Sequence, residues 1–277
     1  MSKDQMKIKQ HFVPRMYLKR WIHDSSGEVY VLYRQNNFSE VESISVDDER
    51  FYREYCYDIK LPSGKMYTQN EVEKILDEYE KRHNRLIDRI IERCDKNIKV
   101  LDRGTNKVQD LLELVYLMII RNPYTNLPLN IGNIETTSTE MTNLFLTLFG
   151  DKWSLTGLQV AANSADHSFI FDYVDEMKTK SPFLISFLKS TDKTEFITSD
   201  NPVIYQKNFY YLPISPQYAC YIVMNNSDDK KLYGNTVVQL TDQSVSAINK
   251  WYWVQTDYDT LISANKEELE HFILKRL

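Results

Sequence analysis

The side chains best suited to chemistry concentrate in the segment TEFITSDNPVIY, residues 194–205. Pro202 has no backbone N–H to donate to a neighbouring strand, and it disfavours a helical conformation at Asn201. A strand through this segment therefore ends with Ser199, Asp200 and Asn201 at its tip. Strand tips present side chains to clefts from a rigid scaffold, so these three are candidate site residues. The alternative interpretation is an Asx turn, in which the Asp200 carboxylate accepts a backbone N–H two residues further on.

His11 is a second candidate because of its place near the start of the chain. It precedes Val13 and Pro14, and Pro14 favours the first position of a helix. A side chain here can bend back toward the N-terminal end of that helix. A neutral imidazole there is able to act as a general base or as a metal ligand. The alternative is a histidine bonded to a carboxylate that holds the start of the chain in place.

Carboxylates recur on the strongest predicted helix. Glu73 and Glu80 fall on one approximate face, and Glu80 lies beside the apolar stripe with His83 three residues further on. A carboxylate at the edge of such a stripe must be paired, hydrogen-bonded or protonated. Its natural partner is Arg121, which ends the next helix, so an ion pair between two packed helices is one interpretation. The other makes Glu73, Glu80 and His83 acid–base groups or ligands of a divalent cation.

The elements that must position these residues are indicated by hydrophobic periodicity. Helices are predicted at about 70–97, at about 106–121, from near Thr241 and from Asn265, with helical or mixed segments at 133–149 and 155–178. The second of these helices is almost entirely apolar and is expected to be central. Strands are predicted from the following alternating or apolar segments: 28–34, 41–52, FLISFL, EFITS, PVIYQ, YACYIVM and TLISA.

This order predicts a single α+β domain over residues 1–277. Its helical core covers about 70–178 and its strand-rich part about 181–263. We expect the helical middle to pack on a small, mostly antiparallel sheet that combines N-terminal and C-terminal strands.

Composition restricts the class of protein. The net charge of −5 excludes general attraction to nucleic acid, so such binding needs a local basic patch. The three cysteines lie far apart without CxxC spacing, which favours buried thiols in a reducing compartment over disulfides or zinc. No secretory signal and no apolar run long enough for a bilayer is visible. The sequence predicts a cytoplasmic protein without a membrane partner.

Common catalytic motifs are absent, including Gly-rich phosphate loops, HExxH and GxSxG. Five separated motifs nevertheless occur in a characteristic order. They are HFVPRMYLKRW, the E-x6-E of Glu73 and Glu80, RNP at 121–123, FITSDNPV and LPISP. Together they resemble the bacterial and phage family known as domain of unknown function 4238, over almost the whole chain. The family more often has a further Arg after Arg-x-Pro, where Tyr124 and Thr125 stand here.

The resemblance implies that His11, Arg121, Asp200 and Asn201 occupy motif positions. The hypothesis that follows is a hydrolase of a phosphodiester or nucleotide, nuclease-like, with a role as toxin or effector in antiviral defense between phage and host. His11 is then the general base or acid, and Arg121 stabilises negative charge on phosphate.

The remaining roles complete this hypothesis. Glu73, Glu80 and Asp200 are expected to bind Mg²⁺ or Mn²⁺ or to orient water, while Asn201 and Ser199 contact the substrate. The partner is then a nucleic acid or nucleotide at a local patch. The alternative is a binding or sensor module, working with a protein partner, in which the same polar set forms a structural hydrogen-bond network.

Overall fold

Six helices are present in the described part of the computed structural model, which comprises residues 8–54, 56, 71–101, 106–122, 128–131, 134–137, 183–206, 209–224, 236–254 and 258–274. The helices are α1 (Arg15–Leu18), α2 (Glu71–Asp95), α3 (Asn106–Ile120), α4 (Asp242–Asn249), α5 (Trp251–Val254) and α6 (Lys266–Leu274). The predicted bounds of the two long helices differ from these by one or two residues, which is the usual uncertainty at helix ends.

Most of the strands lie toward the two ends of the chain, and β5 and β6 lie near its middle. They are β1 (Lys9–His11), β2 (Glu28–Tyr33), β3 (Val41–Ser45), β4 (Tyr52–Glu54), β5 (Pro128–Ile131), β6 (Ile134–Thr137), β7 (Phe183–Lys189), β8 (Thr198–Ser199), β9 (Ile204–Gln206), β10 (Phe209–Pro213), β11 (Tyr218–Met224), β12 (Thr236–Gln239) and β13 (Thr260–Ser263). Together with the helices they form an α+β architecture.

One sheet joins the two ends of the chain, as the sequence predicts. Its strand order is β3-β2-β13-β8, and every pair in it is antiparallel. Leu261 of β13 pairs with Leu32 of β2 on one side and with Ser199 of β8 on the other. The buried strand β13 therefore places the tip of the TSDNPV segment beside the N-terminal strands.

A second sheet is built from later residues alone. The sequence predicts one sheet and does not indicate this second one. Its order is β12-β7-β11-β10-β9, antiparallel except for the parallel pair β12–β7. Two further two-stranded ladders pair β1 with β4 and β5 with β6. Apolar periodicity cannot separate two sheets, because alternation reports the buried face of a strand and not its neighbours.

The predicted strand at 41–52 is in fact interrupted. After β3, a turn and a short 3₁₀ helix at Glu49–Phe51 redirect the chain into β4. Asp48 caps this 3₁₀ helix by accepting a hydrogen bond from the Arg50 backbone N–H at 3.0 Å. The break allows β4 to pair with β1 instead of continuing along β2.

Helix α3 is central, as its apolar composition predicts. Residues 111–119 are all buried, including the carboxylate residue Glu113 at 2% exposure. Arg82 of α2 forms ion pairs with Glu113 and with Asp110, so the two long helices are joined by charged pairs along one flank. The buried acid is therefore compensated by a cation, as buried charges require.

Buried hydrogen bonds tie the N-terminal helix to both sheets. The Tyr17 hydroxyl of α1 donates to the Pro213 carbonyl at 2.7 Å and lies 2.6 Å from the Thr198 hydroxyl, which is positioned to donate to it. Asn249 of α4 accepts from the Ile197 N–H at 3.1 Å and donates to the Glu195 carbonyl at 2.8 Å. The irregular stretch before β8 is thus held by hydrogen bonds to side chains in place of the backbone hydrogen bonds of a sheet.

The predicted segments at 133–149 and 155–178 lie outside the described residues, apart from β6. Among the helices that are described, none combines the length and the apolar character needed to cross a bilayer.

Candidate functional site

His11 is positioned by the short ladder between β1 and β4. Its backbone pairs with Tyr52, and the two rings lie with centroids 5.6 Å apart. Pro14 then caps α1 in an extended conformation, so the chain turns sharply directly after the histidine. The imidazole is held on a fixed strand and its side chain is 14% exposed.

Arg121 connects three elements at the C-terminal end of α3. Its backbone N–H still makes the helical bond to Leu117, and its charge there complements the negative end of the helix dipole. One terminal nitrogen donates to Glu80 of α2 at 2.7 Å, and the other donates to the His11 carbonyl at 2.7 Å. The guanidinium is only 3% exposed. The interhelical Glu80–Arg121 pair expected from the sequence is therefore present.

These residues line an open cavity of about 450 Å³. Its described walls carry His11, three cations and four acids: Lys9, Arg15, Arg121, Asp47, Glu73, Asp77 and Glu80. With a neutral imidazole the formal charge of this set is −1. A volume of this size suits a small ligand or a reacting group of a larger one.

The imidazole of His11 is kept neutral by its surroundings. Burial lowers the pKa of His11 to about 4, and the cations Arg15 and Arg121 act in the same direction. Asp47 and Glu80 raise it, but by less. At neutral pH one ring nitrogen therefore carries a lone pair in place of a proton and can act as a base.

Asp47 is a carboxylate residue close to the imidazole of His11. Its Oδ1 lies 3.7 Å from His11 Nε2, which is longer than a hydrogen bond. The same carboxylate is bonded by Arg15 through two nitrogens, each at 2.7 Å. Asp47 is thus fixed within reach of the ring, and a contraction of about 0.7 Å would create a His–Asp dyad.

His83 lies beneath this cavity, against Arg121. It is 2% exposed, and its ring packs at 5.8 Å from that of Tyr79. Burial first, then Arg82 and Arg121, lower its pKa to about 3, so it is neutral. Among the residues that the structure describes, its Nε2 is buried without a hydrogen-bond partner. A void of about 10 Å³ between α2, α3 and Arg121 has room for about one water molecule.

Asp200 faces a different cavity. This second space, about 370 Å³, also carries Arg50, Arg53 and Asp259 on its walls. Both Asp200 oxygens accept the Asp259 backbone N–H, at 3.1 and 3.2 Å. Burial raises the pKa of the carboxyl to about 7, against the opposing effect of backbone groups of Thr260 and Asp259.

The alternative interpretation, an Asx turn made by the Asp200 side chain, does not describe this segment, because Ser199 makes the turn instead. The Asn201 N–H donates to the Ser199 hydroxyl at 3.1 Å, and that hydroxyl donates to the Asn201 carbonyl at 2.7 Å. The physical reason lies at Pro202, which has no N–H to offer the Asp200 carboxylate. Ser199 and Asn201 are buried and line neither of the two cavities just described.

The end of α3 joins this turn to the first cavity. Asn122, which follows Arg121, donates from its side-chain amide to the Asp200 carbonyl at 2.6 Å. Consecutive residues of the RNP motif thus hold His11 on one side and Asp200 on the other. The structure places His11, Glu73, Glu80 and Arg121 in the first cavity and Asp200 in the second, while Ser199 and Asn201 line neither.

The expected ligand set of Glu73, Glu80 and Asp200 is therefore not assembled. Glu73 and Glu80 line the first cavity and Asp200 lines the second. Within the described ranges, no group of three or more His, Cys, Asp or Glu side chains is arranged to hold a metal ion.

Four residues of the first cavity were not among the predicted site residues: Lys9, Arg15, Asp47 and Asp77. Lys9 shares a strand face with His11 at a spacing of two, and Arg15 is the first residue of the helix that follows Pro14, so both could have been found from local spacing. Asp47 comes from the turn after β3, and no local spacing in the sequence indicates that it lies near His11. The structure therefore adds two exposed cations and two acids to the predicted set.

Comparison with known proteins supplies a family and no more specific relative. Neither the curated proteins nor the solved structures contain a match to the chain. A family model described as Protein of unknown function (DUF4238) matches residues 9–267. Because that match covers nearly the entire sequence, the chain belongs to the DUF4238 family.

Proposed function

We propose that the protein is a hydrolase of a phosphodiester or nucleotide, with the cavity around His11 as its active site. The observation that carries the proposal is the convergence of His11, Arg121, Glu80 and Glu73 from three separate elements on one open cavity. A purely structural ion pair does not need an imidazole and further charges beside an opening.

His11 acts as the general base in this proposal. Its ring is neutral at physiological pH, because burial and the neighbouring cations lower its pKa to about 4. An anionic substrate offsets the effect of Arg15 and Arg121, so binding raises the pKa toward the range in which proton transfer is efficient. Asp47 then stabilises the imidazolium that forms when His11 accepts a proton from water.

The cations of the cavity have distinct roles. Arg121 is fully engaged with Glu80 and the His11 carbonyl, so it acts on the reaction through its charge and by positioning β1. Arg15 is half exposed and forms an ion pair with the exposed Asp47, and Lys9 also lines the opening. These two are the groups that contact phosphate oxygens.

A divalent cation, Mg²⁺ or Mn²⁺, completes the charge balance for such a substrate. The cavity's formal charge of −1 disfavours a phosphate anion, whereas Glu73 and Asp77 on adjacent turns of α2 offer oxygen ligands. Mg²⁺ commonly takes only one or two carboxylates, with substrate phosphates and waters filling its shell. Glu73 and Asp77 would hold a cation in that limited mode, and the cation would supply positive charge to offset the phosphate charge. Asp200 lines the other cavity and would take no part.

The proposal includes a role as a toxin or effector that acts on nucleic acid or nucleotides inside cells. A nucleic-acid partner contacts the cavity through the local cations Lys9 and Arg15, because the net charge of −5 gives no general attraction. This biological role comes from the family resemblance of the motifs.

The second candidate is a non-catalytic binding or sensor module with a protein partner. It is favoured by the buried tip Ser199–Asp200–Asn201, whose polar groups bond to the backbone and to Asn122. On this hypothesis the motif residues hold the end of α3 between two sheets, and their loss affects stability alone.

The test is hydrolysis by the purified protein of RNA, single- and double-stranded DNA and mononucleotides, with Mg²⁺, Mn²⁺ or chelator. We expect cleavage of one of these substrates, and a loss of about 10²–10⁴-fold in His11→Gln, the range for removal of a general base. His23→Gln is the matched control, since His23 stacks on Tyr30 away from the cavity.

Thermal melting of each variant separates the two candidates. A folded His11→Gln protein that loses cleavage supports the hydrolase. Absence of cleavage on every substrate, with His11→Gln altering only the melting temperature, supports the binding module.

A further inference from the structure

A third cavity, with no residue in common with the first two, lies at the C-terminal end of the fold. It is a groove of about 560 Å³ between α4, α5, α6 and the loop before β8. Its described walls are Lys193, Thr194, Ser246, Asn249, Lys250, Trp253, Glu268, His271 and Phe272. The volume lies within the range of small-molecule sites, about 300–1,000 Å³.

The groove has an aromatic wall that the fold leaves open to solvent. Trp251 faces inward and packs on Phe209, Tyr211 and Tyr221. Trp253 lies two positions further along α5, so it points to the opposite side of the helix. It is 37% exposed and touches Phe272 at a centroid distance of 5.8 Å. A large indole held by neighbouring rings, yet exposed, offers a preorganised surface for a planar ring.

The rim of the groove is cationic and its interior is not. Lys193 and Lys250 line it as exposed side chains, and His271 is also exposed. Glu268 is 6% exposed and is the only acid among the groove's described walls. One of its oxygens accepts the Glu195 N–H at 3.2 Å, and a carboxylate has further acceptor capacity beyond one such bond.

The scaffold beneath the groove is rigid. Asn249 is 1% exposed and uses both halves of its amide on the strand-like stretch at Glu195 and Ile197. The same stretch is bonded by Glu268 from α6. The groove is thus fixed from both sides by buried or partly buried hydrogen bonds, which reduces the entropy lost when a ligand binds.

From these features we propose that the groove is a binding site for a mononucleotide. The base stacks on Trp253, its N–H edge donates to Glu268, and the phosphate lies at Lys193 and Lys250. A planar ring with N–H donors and an anionic tail matches the aromatic wall, the interior acceptor and the basic rim together. Because the groove shares no residue with the His11 cavity, this binding is independent of hydrolysis.

Calorimetric titration with guanosine 5′-monophosphate, in chelator, tests the proposal. We expect saturable binding, weakened about tenfold or more by Trp253→Leu, the scale of a lost base–aromatic stack. Lys193→Gln with Lys250→Gln should weaken the monophosphate and leave binding of guanosine unchanged. Lys266→Gln is the matched control, because Lys266 is exposed and pairs with Glu270 on the same helix, outside the groove.

Three results would overturn the proposal. They are no binding at millimolar ligand, equal affinity for ribose 5-phosphate, and affinity unchanged by Trp253→Leu in a protein with wild-type melting temperature. Binding retained in His11→Gln supports a separate site, whereas its loss would place the nucleotide in the first cavity instead. Failure here leaves the hydrolase test unaffected, since that test follows cleavage and not binding.

Discussion

Arg121 determines how the residues around His11 are held together. Its guanidinium is almost fully buried and bonds Glu80 and the His11 carbonyl at once. The pairing with Glu80 was predictable, because a carboxylate beside an apolar stripe needs a cation from the neighbouring helix. The bond to the His11 carbonyl was not, because nothing in the sequence reports which backbone oxygen lies beside a side chain 110 positions away.

Arg121→Met tests this bridge. We expect the free energy of unfolding to fall by about 2–3 kcal/mol, since removing one partner of a largely buried pair leaves the other charge uncompensated. Chemical denaturation followed by circular dichroism measures it. Arg15→Met, which breaks an exposed pair with Asp47, should cost less than about 1 kcal/mol. If Arg121→Met and Arg15→Met lowered the free energy of unfolding equally, Arg121 would not be the buried bridge between Glu80 and the His11 carbonyl.

Asp200 should leave a signature in the pH dependence of stability. Its carboxyl titrates near 3.8 when unfolded and at about 7 when folded. Between these values the folded state holds more protons, so this group's contribution to stability falls as pH rises from about 4 to about 7.

The measurement is the free energy of unfolding of wild type and Asp200→Asn over that pH interval. Taking the difference removes the opposite contribution of His11 and His83, whose lowered pKa values make stability rise with pH. We expect wild type to lose stability relative to Asp200→Asn as pH increases. A difference that is independent of pH would show that Asp200 is not buried as described.

Helices and strands were predicted best where the apolar pattern repeats over many residues. Helices α2 and α3 have their expected places because many turns repeat the same signal. The stretch at 41–52 was misjudged because a 3₁₀ turn of three residues, Glu49–Phe51, is too short to alter the alternation around it. That turn creates β4, and β4 in turn fixes His11, so the local error concealed the partner strand of the candidate site.

Tyr17→Phe tests how α1 is attached to the sheets. The variant keeps the ring and removes the hydroxyl that bridges Thr198 and the Pro213 carbonyl. Leaving these buried groups without their partner should lower the free energy of unfolding by about 1–3 kcal/mol. Tyr30→Phe, on the half-buried ring that stacks on His23, serves as control in the same denaturation experiment. Equal free energies of unfolding for Tyr17→Phe and Tyr30→Phe would show that the Tyr17 hydroxyl does not stabilise the fold through this bridge.

The whole molecule was predicted as an α+β fold that combines both chain ends, and this is confirmed. The division into two sheets was not foreseen, because strand order depends on contacts between residues far apart in sequence. Strand β13 pairs with β2 and β8 at once, which couples the N-terminal strands to the TSDNPV turn.

This coupling predicts one cooperative unfolding transition. Tryptophan fluorescence reports on Trp21 near the start of the chain, on Trp251 and Trp253 near its end, and on Trp153, whereas circular dichroism is dominated by helices such as α2 and α3. We expect the same denaturant midpoint by both methods, as in a two-state domain. Two separated midpoints would indicate that the ends and the helical middle fold independently.

The most direct test of catalysis at the His11 cavity follows growth and nucleic-acid integrity in cells that express wild type, His11→Gln or His23→Gln at equal levels. We predict that wild type and His23→Gln degrade RNA or DNA and slow growth, while folded His11→Gln does neither. Degradation that persists undiminished in His11→Gln would contradict the assignment of this cavity as the active site.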